Sequence, residues 1–225
     1  MRHFDAEQVN RILDYPRLVE ALRVAHRDDD MPQLHVNMLS DAGHDDNKFI
    51  SLVSWASGDV IAVKLVGVFP GNTGLTPPQP SVQGLVALFD GRTGGPLATC
   101  DGAALTFRKT AADSALGVDI LARRDAEVLL IVGAGGLAPH VAEAHASVRP
   151  TLRRIMIWNR NLEKAEALAY WMSELGGQTM LEHAIGKIAA GELDPRMAEK
   201  VVGHLVQERG RVQPFLSVVE GAHAT

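Results

Sequence analysis

The stretch from Glu127 to Trp158 constrains the fold of this chain most. Glu127 to Val132 is a short, almost wholly apolar run, the pattern of a parallel strand buried on both faces. It is followed by Gly133-Ala134-Gly135-Gly136-Leu137-Ala138, a helical stretch to Val148, and a second strand from Arg154 to Trp158. Strand, glycine turn, helix and strand in that order define a βαβ unit, and the turn matches G-x-G-x-x-G/A. Each small residue has a use. Gly133 permits the tight turn, Gly135 lets backbone approach a pyrophosphate, and Ala138 lets helix and strand pack closely. Gly136 lies inside the same cradle. The helix N-terminus offers N–H groups and the positive end of its dipole to an anion. Pro139 falls in the first helical turn, where its missing N–H costs little.

The end of the second strand reads on cofactor choice. A site for NAD(H) places Asp or Glu there to hold the ribose 2′-hydroxyl. This chain has Asn159 followed by Arg160. A guanidinium pairs with a 2′-phosphate that a carboxylate would repel, so the expectation is NADP(H), with NAD(H) as the alternative. The competing reading of Arg160 is a solvated loop residue.

Composition narrows the class. The chain has 225 residues, 46% hydrophobic and 22% charged, which fits a globular protein of one large or two small domains. Lys and Arg number 22 against 27 Asp and Glu, a net charge of −5, and an acidic chain makes a poor nucleic-acid partner. Cys100 is the single cysteine, which excludes an internal disulfide framework and a cysteine-rich zinc site. The first ten residues carry no apolar signal region, and no apolar run reaches the ~18 residues of a membrane helix. The expectation is a soluble cytoplasmic protein without membrane contact.

The first half is organised differently. Asp5, with Gln8 three residues on, signals a helix start with a capping box. Pro16 to His26 reads as a second helix with Leu18, Leu22 and Ala25 on one face. His26, His35 and His44 lie near acidic residues at 28–30 and 45–46, but their spacing fits no metal-ligand pattern, and a solvated acidic turn is the better reading. The period then shortens to two. Phe49–Trp55, Val60–Phe69, Val82–Phe89 and Pro96–Cys100 read as strands, with a proline- and glycine-rich loop at 73–80 and a hairpin turn at 90–95. They imply an antiparallel or mixed sheet. Asp101 caps a long helix to about Arg123, with Leu105, Ala112, Leu116 and Ile120 near helical spacing. The expected division is an α+β domain over residues 1–123 and a Rossmann-type domain over 124–225, an α/β protein with a shortened second domain. Leu162, Ala165, Ala169, Met172 and Leu175 line one face of the helix after the second strand. Helices over 180–190 and 195–208 and a strand over 212–219 are expected in the tail.

Lys64 stands out among the candidate binding residues. On its strand it shares a face with Val60, Ala62, Val66 and Val68, and a lysine on an apolar face is costly unless it is paired or functional. The competing reading is a stem lying on an apolar rim with its head in water. Arg108 and Lys109 fall mid-helix, where an exposed face is the ordinary expectation.

Lys64-Leu-Val-Gly-Val-Phe-Pro-Gly-Asn72, Pro80-Ser-Val-Gln-Gly84, Leu105-Thr-Phe-Arg-Lys-Thr-Ala-Ala112 and the turn at 133, in that order and spacing, resemble the ornithine cyclodeaminase/mu-crystallin family. The resemblance covers about residues 3–172. It implies an N-terminal α+β domain that dimerises and binds substrate, and a Rossmann domain for NAD(P). By position, Lys64 matches the family lysine near the substrate carboxylate. Ser81 stands where threonine is usual, and Lys109 replaces the arginine before T-A-A, which implies that carboxylate binding either shifts to Arg108 or weakens. A second family arginine has no counterpart; His35 and Asn37 lie nearest. Leu137 replaces a usual glutamine. Residues 176–225 carry no resemblance, and the family's later D-L-V-G-like segment with its aspartate is absent. An incomplete parallel sheet exposes an apolar edge, so marginal stability or burial in a dimer is expected.

The function the resemblance implies is reduction of a small cyclic imine carboxylate, pyrroline- or piperideine-2-carboxylate, by a homodimer using NADP(H). Lys64, Arg108, Lys109 and Ser81 are the candidate substrate residues. Gly133, Gly135, Gly136, Ala138, Asn159 and Arg160 are the candidate cofactor residues, and no metal is expected. The rivals are ornithine cyclodeamination, marked by ammonia release without net cofactor change, and a non-catalytic NADPH- or ligand-binding or inactive truncated member.

Overall fold

The computed structural model describes residues 1–28, 32–44 and 46–175. It falls into two compact units, Met1–Lys109 and Thr110–Thr225. The tail elements expected beyond residue 175 lie outside the described residues.

In the first unit, β1 (Arg2–Phe4) leads into α1 (Ala6–Ile12) and α2 (Tyr15–Ala25). The Asp5 carboxylate accepts from the Gln8 N–H, and the Gln8 side chain accepts from the Asp5 N–H, closing the capping box. Asp14 caps α2 by accepting from the Arg17 N–H, with Pro16 in the first turn. The buried residues of α2 are Tyr15 and Val19, one turn apart. The expected Leu18 and Leu22 are half-buried beside them, whereas Ala25 is exposed. The α2 stripe thus lies one position away from the expected one, because Tyr15, the largest side chain of that turn, takes the inside.

Five longer strands and β1 make one mixed sheet. They are β2 (Gln33–Ser40), β3 (Lys48–Ala56), β4 (Val60–Val68), β5 (Val82–Asp90) and β6 (Pro96–Asp101), in the order β1-β6-β5-β4-β3-β2. All neighbours are antiparallel except β1 and β6. β1 and β2 were not expected. β1 is too short for a period to show, but the alternation Leu34, Val36, Met38 in β2 carries the signal. The long helix α3 (Gly102–Leu121) begins where β6 ends, with the Asp101 carboxylate accepting from the Ala104 N–H. A Cβ on Gly102 would lie 2.5 Å from the Gly84 carbonyl carbon, so the helix starts directly against β5 and only glycine allows the approach. The division between the units falls inside α3.

In the second unit, β7 (Val128–Val132) and β8 (Arg154–Trp158) pair in parallel, joined by α4 (Ala138–Val148) and followed by α5 (Leu162–Leu175). Ile131, Ala138, Ala142, Ile155, Ile157, Ala165 and Met172 form its core. Ala165 and Met172 thus face inward as expected, whereas Leu162 is exposed at the helix start. Arg149, the C-cap of α4, donates to the carbonyls of Val118, Asp119 and Ala122 and to the Asp119 carboxylate, so it closes the carbonyl end of α3. No helix among the described residues is long and apolar enough to cross a membrane.

Candidate functional site

The cationic site of the first unit is built on β4. Lys64 pairs across the sheet with Leu52 on β3 and Val86 on β5, so three side chains in a row share its face. Val66 and Val86 are buried, and Lys64 is half-buried among them. Burial, and after it the Lys109 charge, holds the Lys64 ammonium below the ordinary lysine value. Two of the expected cations are therefore brought together. The Lys109 charge disfavours the Lys64 ammonium, and an anion beside Lys64 is the ligand that relieves it.

Arg108 is placed elsewhere. It is buried; its Nε and Nη2 donate to the Leu13 carbonyl at 2.8 and 2.6 Å. Its guanidinium carbon lies 3.7 Å from the centre of the Tyr15 ring. The signal was in the sequence: Ala104, Arg108, Ala111 and Ala115 follow helical spacing, and all four are buried. The expected stripe lies beside this one, with Ala112 and Leu116 buried, Leu105 half-buried and Ile120 exposed.

Ser81 precedes β5 and is half-buried, and its carbonyl accepts from the Phe69 N–H at 2.7 Å. It is five residues before Val86, so about 16 Å of strand separates it from the row holding Lys64. Asn72 closes the motif that begins at Lys64. Its amide donates to the Pro80 carbonyl at 3.0 Å, and its own carbonyl accepts from the Gln79 N–H at 3.0 Å, so it ties the loop between β4 and β5 together. His35 and Asn37 pair with Val53 and Ser51, on the sheet face opposite Lys64. No group of three metal-ligating side chains occurs among the described residues; Asp29, Asp30 and Asp45 lie outside them.

The glycine turn of the second unit is a backbone structure. Gly133 has φ +117°, which L side chains rarely adopt, and its N–H donates to the Trp158 carbonyl at 2.7 Å. The turn therefore starts where β7 and β8 end side by side. A Cβ on Gly135 would meet nothing within 4 Å, and Gly135 and Gly136 are exposed. No side chain caps the N-terminus of α4. Open space beside bare backbone at an uncapped helix start fits a pyrophosphate. Ala138 is buried in the core, where a larger residue would push helix from strand. At the end of β8, the Asn159 amide donates to the Asn161 carbonyl at 2.9 Å, and the Asn161 side chain accepts from the Lys164 N–H. Arg160 between them is exposed.

The first unit is a mixed sheet carrying a half-buried lysine, and the second opens on a βαβ unit with a glycine turn of the Rossmann type. The model of the ornithine cyclodeaminase/mu-crystallin family matches residues 17–194, and the chain belongs to that family. It is 41% identical over 131 residues to SAR DEFICIENT 4 of Arabidopsis thaliana, covering 57% of this chain and 40% of that one. It is 34% identical over 170 residues to a Delta(1)-pyrroline-2-carboxylate reductase of Colwellia psychrerythraea, covering 75% of this chain and 53% of the relative. Among solved structures it resembles the Delta(1)-pyrroline-2-carboxylate reductase of Thermococcus litoralis, determined with NADH and L-proline. There the TM-score is 0.70 at 25% identity, over 79% of this chain and 55% of that one. The chain thus spans about half the length, or less, of these relatives.

Proposed function

We propose that this chain is the substrate-binding and nucleotide-turn portion of an NAD(P)-dependent reductase of small cyclic imine carboxylates, of the pyrroline-2-carboxylate type. The observation that carries the reading is Lys64, half-buried on an apolar sheet face, with the charge of Lys109 on α3 within electrostatic reach of it. The kinship with two pyrroline-2-carboxylate reductases supports it. Lys64 and Lys109 hold the carboxylate and fix the ring against the Leu52–Val86 row, and positioning of this kind supplies a large share of rate. Gly133, Gly135, Gly136 and Ala138 hold the pyrophosphate of the cofactor. A reduced nicotinamide, when bound, supplies the hydride. Arg160, exposed where β8 ends, takes the 2′-phosphate of NADP(H), so Arg160→Ser lowers NADPH affinity and leaves NADH affinity unchanged.

The same reading makes the working form a homodimer. Leu39, Phe49, Val53, Trp55 and Leu85 are all exposed on the sheet face opposite Lys64. An apolar face of that extent calls for a cover. A second copy offers the same face by two-fold symmetry. Sedimentation at micromolar concentration then gives twice the chain mass, and Val53→Asp halves it. A cytoplasmic setting goes with the reading, since a lone reduced cysteine suits it.

The test of the activity is oxidation of NADPH by the purified chain with Δ1-pyrroline-2-carboxylate or its six-membered homologue, together with L-proline binding. Turnover, or L-proline binding lost in both Lys64→Met and Lys109→Met, supports the reading. Ammonia release from ornithine without net cofactor change would replace it with cyclodeamination. L-Proline binding that ignores both lysines would sink it.

A further inference from the structure

Arg108 raises a question the carboxylate site does not answer, which is why a guanidinium is buried one residue before the lysine whose charge acts on Lys64. Leu13, whose carbonyl takes both of its N–H donors, is the C-cap of α1, and Tyr15 opens α2. The cation therefore sits at a helix C-terminus, where positive charge is favoured, and stacks on a ring. The buried α3 positions within this unit are Gly102, Ala104 and Arg108. Glycine and alanine give little relief to interdigitate with a neighbour, so packing alone sets the rotation of α3 about its axis weakly. A planar fork with two donors on one carbonyl and its face on an aromatic ring has one geometry. The next side chain on the helix, Lys109, projects about 100° further round.

We propose that Arg108 is a positioning residue: by locking α3 to the Leu13–Tyr15 corner it fixes the direction of Lys109 and so the spacing of the two ammonium groups that hold the carboxylate. This rests on the reading of Lys64 and Lys109 given above. A cation turned away by one helical step loses most of its contact with a ligand of fixed position, and a misplacement of ~1 Å in a binding group is enough to be felt strongly.

The experiment compares Arg108→Lys, Tyr15→Leu and Lys109→Met in the 225-residue chain with the cofactor bound. Two quantities are read: the dissociation constant of L-proline, and the titration of Lys64 followed by NMR of isotope-labelled N-methyl lysines. Lys109→Met weakens L-proline roughly tenfold, as loss of one charge-assisted contact does, and moves the Lys64 titration to higher pH. Arg108→Lys weakens L-proline in the same direction by about three- to tenfold, with NADPH affinity unchanged, and moves the Lys64 titration towards that of Lys109→Met. Tyr15→Leu does the same by a smaller amount and carries the test if Arg108→Lys does not fold. A staple that merely holds the helices would lower the melting temperature and move neither quantity. L-Proline weakened by Lys109→Met but bound normally by Arg108→Lys and Tyr15→Leu would overturn this proposal alone. Normal binding by Lys109→Met would overturn the carboxylate reading and the proposal with it.

Discussion

The proposed pyrophosphate site of the second unit is built of backbone. Gly133 turns the chain at φ +117°, Gly135 leaves a space, and α4 starts without a side-chain cap. The proposed carboxylate site of the first unit is built of side chains instead, Lys64 from a strand and Lys109 from a helix, with Lys64 set among Leu52, Val66 and Val86. The two solutions fail differently. A backbone cradle tolerates no added atoms but carries no charge to lose. A cation pair tolerates changes of shape but depends on protonation and on the rotation of one helix.

The variant that presses this contrast hardest is Gly135→Val. Nothing lies within 4 Å of an added Cβ there, and the residue is not at positive φ, so folding and melting temperature stay as they are. The added side chain occupies the space read as the pyrophosphate site. Cofactor affinity falls about 100-fold or more, equivalent to roughly 2.7 kcal/mol, in a fluorescence titration with NADPH. If Gly135→Val binds NADPH normally, the cradle is an ordinary turn. Gly133→Val differs from it, since at φ +117° the side chain also strains the fold by about 1–3 kcal/mol.

Lys64→Met is the matching change in the first unit, and its signature is reversed. The substitution replaces a half-buried ammonium by an apolar chain of similar length between Leu52 and Val86. Stability in urea is unchanged or higher, because a cation held in apolar surroundings is removed. Binding of L-proline weakens by roughly 10- to 100-fold, the range for losing a charge-assisted contact. A fall in stability together with unchanged binding would mean that Lys64 is a packing residue.

The contrast also explains what was legible before the structure. The glycine turn could be read residue by residue because its chemistry lies in consecutive backbone units, and the paired ends of β7 and β8 place it where its sequence puts it. Strands β3, β4, β5 and β6 were legible from their period of two, and so was the apolar company that Lys64 keeps on its face. The helix cations were legible in part. Arg108 and Lys109 are adjacent, and the helical spacing of Ala104, Arg108, Ala111 and Ala115 marks Arg108 as the inward one. Its partners, the Leu13 carbonyl and the Tyr15 ring, lie far off in sequence, and no local pattern encodes them. Ser81 shows the same limit. Its motif joins it to the lysine in sequence, whereas the register between β4 and β5 carries it about 16 Å along the sheet.

A cation pair has a pH limit that a backbone cradle lacks. The Lys64 ammonium loses its proton below the ordinary lysine range, chiefly through burial and then through Lys109. A carboxylate binds the charged form, so L-proline affinity falls as pH rises through the Lys64 value of the free protein. The loss begins at lower pH than an exposed lysine would give. Removing the Lys109 charge shifts the alkaline limb upward while lowering the affinity below it. An affinity flat to the ordinary lysine range would separate Lys64 from the carboxylate.

The second unit has its own titrating group, and its pH response runs the other way. His145 is buried on α4; its Nδ1 lies 2.8 Å from the Val141 carbonyl, and its Nε2 lies 3.4 Å from the Ser114 hydroxyl. Burial lowers its pKa, and the Val141 carbonyl opposes that in part. The folded state therefore keeps His145 neutral at a pH where the unfolded chain already protonates its histidines, near the usual 6.5. The unfolded state binds the extra proton below that point, so stability attributable to His145 is full above about pH 6.5 and falls as the medium is acidified through the lowered value. His145→Gln removes the titration. It flattens this part of the acid fall of the urea midpoint and lowers the plateau by the packing it disturbs. This effect is the smallest of the set, since a single partly opposed shift is at stake. It is also the cleanest division between the units: acid is expected to weaken the fold of the second, whereas alkali is expected to weaken the proposed carboxylate site of the first. An acid dependence identical in the protein and in His145→Gln would assign it to another group.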